Sequence, residues 1–150
     1  MIHQARQLSV SALLLLASGG LLAESAIGID NPYVRAVPPG TPNSAAFMTI
    51  NNRGSADNAL VGAASPASKV VELHTHVMED GMMKMRQVQQ IDLPAGKAAV
   101  LEPGGLHIML IGLKGNLKPG EQVDLTLKFA DGAEQKLSAP VKSPMGMKMR

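Results

Sequence analysis

No cysteine occurs in the 150 residues. Disulfides, thiolate nucleophiles, cysteine-bound zinc and iron–sulfur clusters are therefore excluded, and only His, Met and carboxylate remain to hold a metal ion. Aromatic side chains are scarce too: Tyr33, Phe47 and Phe129, with no Trp, make up 2% of the chain. Neither sign of charge dominates. With 14 Lys+Arg against 12 Asp+Glu the formal net charge is +2, and no basic run forms. The electrostatic footprint of a nucleic-acid binder is absent. So are a G-x-S-x-G elbow, an H-E-x-x-H pair, a P-loop and a G-x-G-x-x-G turn, the short motifs of hydrolase, phosphoryl-transfer and dinucleotide chemistry. An enzyme is not expected. Sulfur is what the chain has in excess: ten Met in a sequence with three aromatic residues. Thioether sulfur can do more than fill a core.

The length suits one domain. Near the start, a single cation, Arg6, precedes an uncharged stretch over residues 8–22 that contains Leu13-Leu14-Leu15-Leu16. This is the pattern of a secretory signal peptide. The run is shorter than the roughly 20 apolar residues of a membrane span and is broken by Ser and Gly. Cleavage after Ala23 is expected, which divides the chain into a signal peptide (1–23), a domain (24–142) and a Met-rich tail (143–150). Without a twin arginine the Sec route is expected, and without Cys there is no thiol for an N-terminal lipid anchor. A soluble, periplasmic monomer follows. The tail carries Met145, Met147 and Met149 among Pro and Gly. It reads either as a frayed end or as a loose array of soft donors.

Between these ends, runs rich in Val, Ile, Leu and Thr alternate with Gly, Pro, Asn and Asp about every 8–12 residues, the spacing of an all-β sandwich or barrel. Strands are expected over 33–37, 45–51, 59–63, 69–77, 83–88, 98–101, 107–113, 122–129 and 134–137. Asp80-Gly81, Pro103-Gly104-Gly105 and Asp131-Gly132 are among the turns between them. The clearest alternation is Val123-Asp-Leu-Thr-Leu-Lys-Phe129, whose odd positions face a core. Met48 reads as core filler.

Three histidines lie beyond the signal peptide, and each sits on a strand with Met close by. Period 2 puts Glu72, His74 and His76 on one face of their strand, and His107 and Met109 on one face of theirs, roughly 7 Å apart. Met85 follows the Asp80-Gly81 turn, so a hairpin can fold it back beside His74. Two imidazoles and two thioethers, from His74, Met85, His107 and Met109, can then converge. Neutral, soft donors of this kind suit Cu(I) far better than Mg, Ca, Mn or Zn. A blue-copper electron carrier would need a thiolate, and a superoxide dismutase more histidines. Holding and passing the ion remains. His76 stays outside this set, as a surface residue or an auxiliary ligand. Glu72, Glu79 and Asp80 read as solvated strand-edge charge, with hydrogen bonding to a ligand imidazole as the alternative. Met82 and Met83 read as loop or core residues.

The four residues also match a signature. His74, ten residues, Met85, twenty-one residues, His107, one residue, Met109 resembles the H-x10-M-x21-H-x-M pattern of the PCu(A)C family of exported bacterial copper chaperones. At this chain's own Met and His content, chance gives such a set with a probability on the order of 4 × 10⁻⁴. The flanking Val71-Glu-Leu-His74, Leu93-Pro-Ala-Gly96, Pro103-Gly-Gly-Leu-His-Ile-Met109 and Leu117-Lys-Pro-Gly120 are similar to the family as well. The resemblance implies a single-domain, cupredoxin-like Greek-key β-barrel or sandwich with Cu(I) near its surface on His74, Met85, His107 and Met109. It further implies delivery of copper to the Cu(A) centre in the copper subunit of cytochrome c oxidase, directly or through a Sco-type copper chaperone. A copper-buffering or resistance protein with the same ligands is the alternative. Some members carry a His/Met-rich extension, which the tail here resembles without its His.

Overall fold

A computed structural model describes residues 26–143. The expected signal peptide (1–23) and the tail methionines Met145, Met147 and Met149 lie outside the described residues. Every regular element among those described is a strand: β1 (Ile27–Arg35), β2 (Asn43–Asn52), β3 (Asn58–Ala64), β4 (Ser68–Glu79), β5 (Met82–Gln87), β6 (Ile91–Leu93), β7 (Ala98–Leu101), β8 (His107–Leu113), β9 (Gln122–Phe129) and β10 (Glu134–Lys142). The all-β class expected from the turn spacing is the class found.

The strands follow the hydrogen-bonded path β5-β4-β8-β2-β1-β10-β9-β3-β6, with β7 also on β2, and the path is open at both ends. It is not closed into a barrel. One edge of β2 is shared between two partners: β8 pairs with Asn43–Ala46 and β7 with Met48–Asn51. The path has two sections, joined only where β1 runs parallel to β10 at Val34↔Val141 and Arg35↔Lys142. A single apolar core draws on both: Val34, Ala46, Met48, Ile50, Leu73, Ile108 and Leu110 from one, Leu60, Leu93, Leu125, Leu127 and Val141 from the other. Each Leu or Ile buried there contributes about 1.5–3 kcal/mol relative to exposure. Met48 is core filler, as its sequence context suggests.

Two local departures from ideal strands shape the molecule. In β1 the register slips between Asp30 and Tyr33, where Asn31 has φ 50°. This bulge lets the strand run through Asp30-Asn31-Pro32. At the β4–β5 hairpin, Asp80 (φ 52°) and Gly81 (φ 74°) are both left-handed. That is the two-residue type I′ turn that Asp-Gly favours and that matches the twist of the flanking strands.

The β4–β8–β2 part of the sheet has two unlike faces. Register places Leu73, Ile108, Ala46 and Val34 toward the core. Their sequence neighbours His74, His107, Ala45, Phe47 and Tyr33 point to the other side, because successive side chains alternate. Phe47 and His107 are nonetheless only 2% exposed. Pro103 and Gly104 of the β7–β8 loop line a cleft together with Phe47 and His107.

Candidate metal centre

The second face carries the chemistry. His74 on β4 stands opposite His107 on β8, and Glu72 stands opposite Met109. The rings of His74 and His107 are 5.8 Å apart between centroids, and those of His76 and His107 5.2 Å. On the other side of β4, His76 stands opposite Met85 and His74 opposite Gln87. Behind His107 lies Phe47 at 6.2 Å, itself 5.2 Å from Tyr33 and covered by the Arg35 guanidinium at 5.0 Å. A cleft of about 280 Å³ opens onto His76, Met85, His107 and Met109, with Asn43, Ala45 and Phe47 along its wall.

Hydrogen bonds fix which ring nitrogens are free. His74 Nε2 lies 2.8 Å from Glu72 Oε2, and a carboxylate acceptor holds the proton on that nitrogen. His74 Nδ1 then presents a lone pair, and it is buried with no partner. A buried, orphaned acceptor costs about 1–3 kcal/mol unless something electrophilic meets it. His107 Nδ1 lies 3.1 Å from the Gly105 carbonyl and donates to it, which leaves Nε2 unprotonated. His76 Nδ1 points at the same carbonyl at 3.4 Å. Among the described residues no group of three or more His, Asp or Glu is gathered to hold an ion. The methionines beside the histidines on this face are Met85 and Met109.

Burial keeps the His107 ring below the usual imidazole range, outweighing the Gly105 carbonyl, and the nearby His76, His74 and Arg35 push the same way. A neutral imidazole is the form that binds metal. It also makes the apo fold acid-sensitive. A histidine depressed in the folded state binds its proton more readily when unfolded, so stability is present above the unfolded value near 6.5 and is lost as pH falls below it. The urea midpoint of the metal-free protein is expected to drop between pH 7.5 and pH 5.5, and to drop less in His107→Gln.

All four sequence-derived residues thus lie on one face, with one change of neighbour. Met85 sits across from His76, and reaches His74 only as its diagonal neighbour. His76, outside the set read from the sequence, lines the cleft with its ring tilted against that of His107. Its signal was its alternation with His74. Glu72 is not a merely solvated charge, since it binds the His74 ring. Glu79 is likewise paired, to Arg86 and Lys84. Arg86 holds the Glu79 carboxylate below its usual range, and Glu79 in turn raises the Arg86 guanidinium.

Residues 27–141 match the family model described as "Putative lipoprotein LpqE-like". The chain is 36% identical over 121 residues to "Putative lipoprotein Lxx21020" of Leifsonia xyli subsp. xyli, covering 80% of this chain and 72% of that protein. Among solved structures it is similar to the copper(I) form of DR1885 from Deinococcus radiodurans, at 36% identity and a TM-score of 0.67 over 87% of each chain. The copper-bound PCuAC domain from PmoF2 superposes with a TM-score of 0.69, covering 81% of this chain and 97% of that domain at 24% identity. At that identity the likeness is one of fold.

Proposed function

Because the chain belongs to the LpqE-like family, that of the PCuAC domains, we propose that it is an exported copper(I) carrier whose ligands are His74, Met85, His107 and Met109. The family's lipoprotein naming points to export, and a periplasmic location belongs to this reading. One observation carries it. The buried Nδ1 of His74 has no partner, and it belongs to a ring that stands opposite His107. Each ring has one nitrogen occupied by a fixed acceptor, Glu72 or the Gly105 carbonyl, which leaves the other as the nitrogen that would bind the ion. Met109, on the same face of β8 as His107, and Met85, from the edge hairpin, supply sulfur. The copper(I) bound by DR1885, a relative at 36% identity, supports the choice of ion.

The donors suggest how the ion moves. All four ligands are neutral, so Cu(I) leaves without separating opposite charges. Met85 is 45% exposed and opens the centre to an incoming ligand. An acceptor can replace the donors one at a time. The recipient in this reading is the Cu(A) centre of cytochrome c oxidase, reached directly or through a Sco-type chaperone.

Anaerobic titration of Cu(I) against bicinchoninate, on the full protein and on a form ending at Val141, tests the centre. One tightly held ion in both forms is the expected result. Loss of tight binding on truncation moves the site to the tail, and absence of tight binding from both overturns the proposal. Transfer from the loaded protein to a Cu(A) domain or Sco-type acceptor then separates delivery from simple buffering.

A further inference from the structure

Among the described residues the large exposed apolar side chains are Val61, Val70, Val100 and four methionines. All four methionines are on one hairpin: Met78 (69% exposed), Met82 (64%), Met83 (57%) and Met85 (45%). Exposing long thioethers gains nothing in packing, and scattered surface apolar residues are not normally of one chemical type. Register sorts them further. Met78 stands opposite Met83, and one rung on His76 stands opposite Met85. Met82 falls on the other face with Lys84 and Arg86, where Glu79 binds both cations.

Turn geometry makes these two rungs close. In a two-residue hairpin the pair next to the turn is hydrogen-bonded and the pairs then alternate. Glu79↔Met82 is that first pair. Met78↔Met83 and His76↔Met85 are therefore both non-hydrogen-bonded pairs, whose Cα atoms approach to about 4.5 Å and whose side chains lie nearest. Successive rungs on one face are roughly 7 Å apart along the strands. The next rung inward holds His74, which stands opposite His107 on β8.

We propose that Met78 and Met83 form an outer Cu(I) landing site, from which the ion steps past His76 into the centre formed by His74, Met85, His107 and Met109. This rests on the carrier reading above. At each step bonds from copper to one rung break as bonds to the next form. Copper stays Cu(I) throughout, and no proton or electron is needed. His76 thereby acquires a use as a transit ligand, in keeping with its place between the cleft and the hairpin tip.

The test is stopped-flow uptake of Cu(I) from its bicinchoninate complex by the full protein. The variants are Met78→Leu/Met83→Leu and, as a control of equal exposure on the opposite face, Met82→Leu. Leucine keeps size and apolarity at exposed positions, so the fold is retained. The double variant is expected to take up copper at least about tenfold more slowly, with equilibrium affinity for the first ion within about threefold of wild type, because neither residue is a ligand of the centre. Met82→Leu is expected to match wild type. Equal uptake rates in the double variant and wild type overturn the landing site and leave the centre standing. No tight binding by wild type itself overturns the carrier reading and this site together. A second readout uses methyl-¹³C methionine. During a second equivalent of Cu(I) the Met78 and Met83 resonances are expected to move and that of Met82 to stay, and stationary Met78 and Met83 signals count against the site.

Discussion

Met109→Leu is expected to lower Cu(I) affinity by at least about 100-fold while leaving the protein folded. Loss of an outer hydrogen-bond partner alone typically costs 10–100-fold in metal affinity, and this change removes a donor atom outright. The side chain is partly exposed on the second face of β8, opposite Glu72 and Ala45. A Met-to-Leu swap conserves volume and usually costs under about 1.5 kcal/mol. Competition titration and urea unfolding on the same variant check the two halves of this expectation. Unchanged affinity would remove Met109 from the ligand set.

One residue further along, the expected pattern reverses. Leu110 is fully buried in the core between the two sections of the sheet. Leu110→Ala is expected to destabilise by about 2–5 kcal/mol, the transfer term plus a cavity the surrounding strands only partly close. The fraction still folded is expected to bind Cu(I) within about threefold of wild type, because its donors lie on the opposite face. A urea midpoint series and a titration at low temperature measure both. A collapse of affinity parallel to stability would mean that core and centre are one mechanical unit. Adjacent residues on one strand thus separate folding from binding by the parity of their numbers.

Much of this was legible in the sequence where side-chain period and turn chemistry agreed. The strand expected over 122–129 is found with those bounds, and its buried residues are the odd ones. The hairpin was marked by Asp80-Gly81, whose left-handed φ pair needs those residue types. Less legible was the start of β1, because Asp30-Asn31-Pro32 reads as a break and only a bulge carries the strand across it. β6 is three residues long, too short for a period to register. β10 runs past Pro140, a residue that normally ends a strand; there Val141 takes up hydrogen bonding with Glu121 and Gly120. At the centre, the face shared by His74 and Glu72, and that shared by His107 and Met109, followed from alternation within single strands. Register between strands did not. It depends on turn length and on the β4–β8 pairing, which join residues 33 apart in His74↔His107. That is why the sequence places Met85 beside His74 when its cross-strand partner is His76.

The short parallel pairing of β1 with β10 sets an order of events in time. A polypeptide emerges from a ribosome or a translocation pore with its N-terminal end first. β1 can pair with β2 early, but Val34 and Arg35 find their second neighbours only when Val141 and Lys142 arrive. Until then the first section lacks the partner that completes its core, since Leu125, Leu127 and Val141 all come late in the chain. Closure of the domain therefore waits for β10 to become available, and such non-local β topologies typically fold in milliseconds to seconds. Throughout that interval the unfinished edge of β1 is open to other chains.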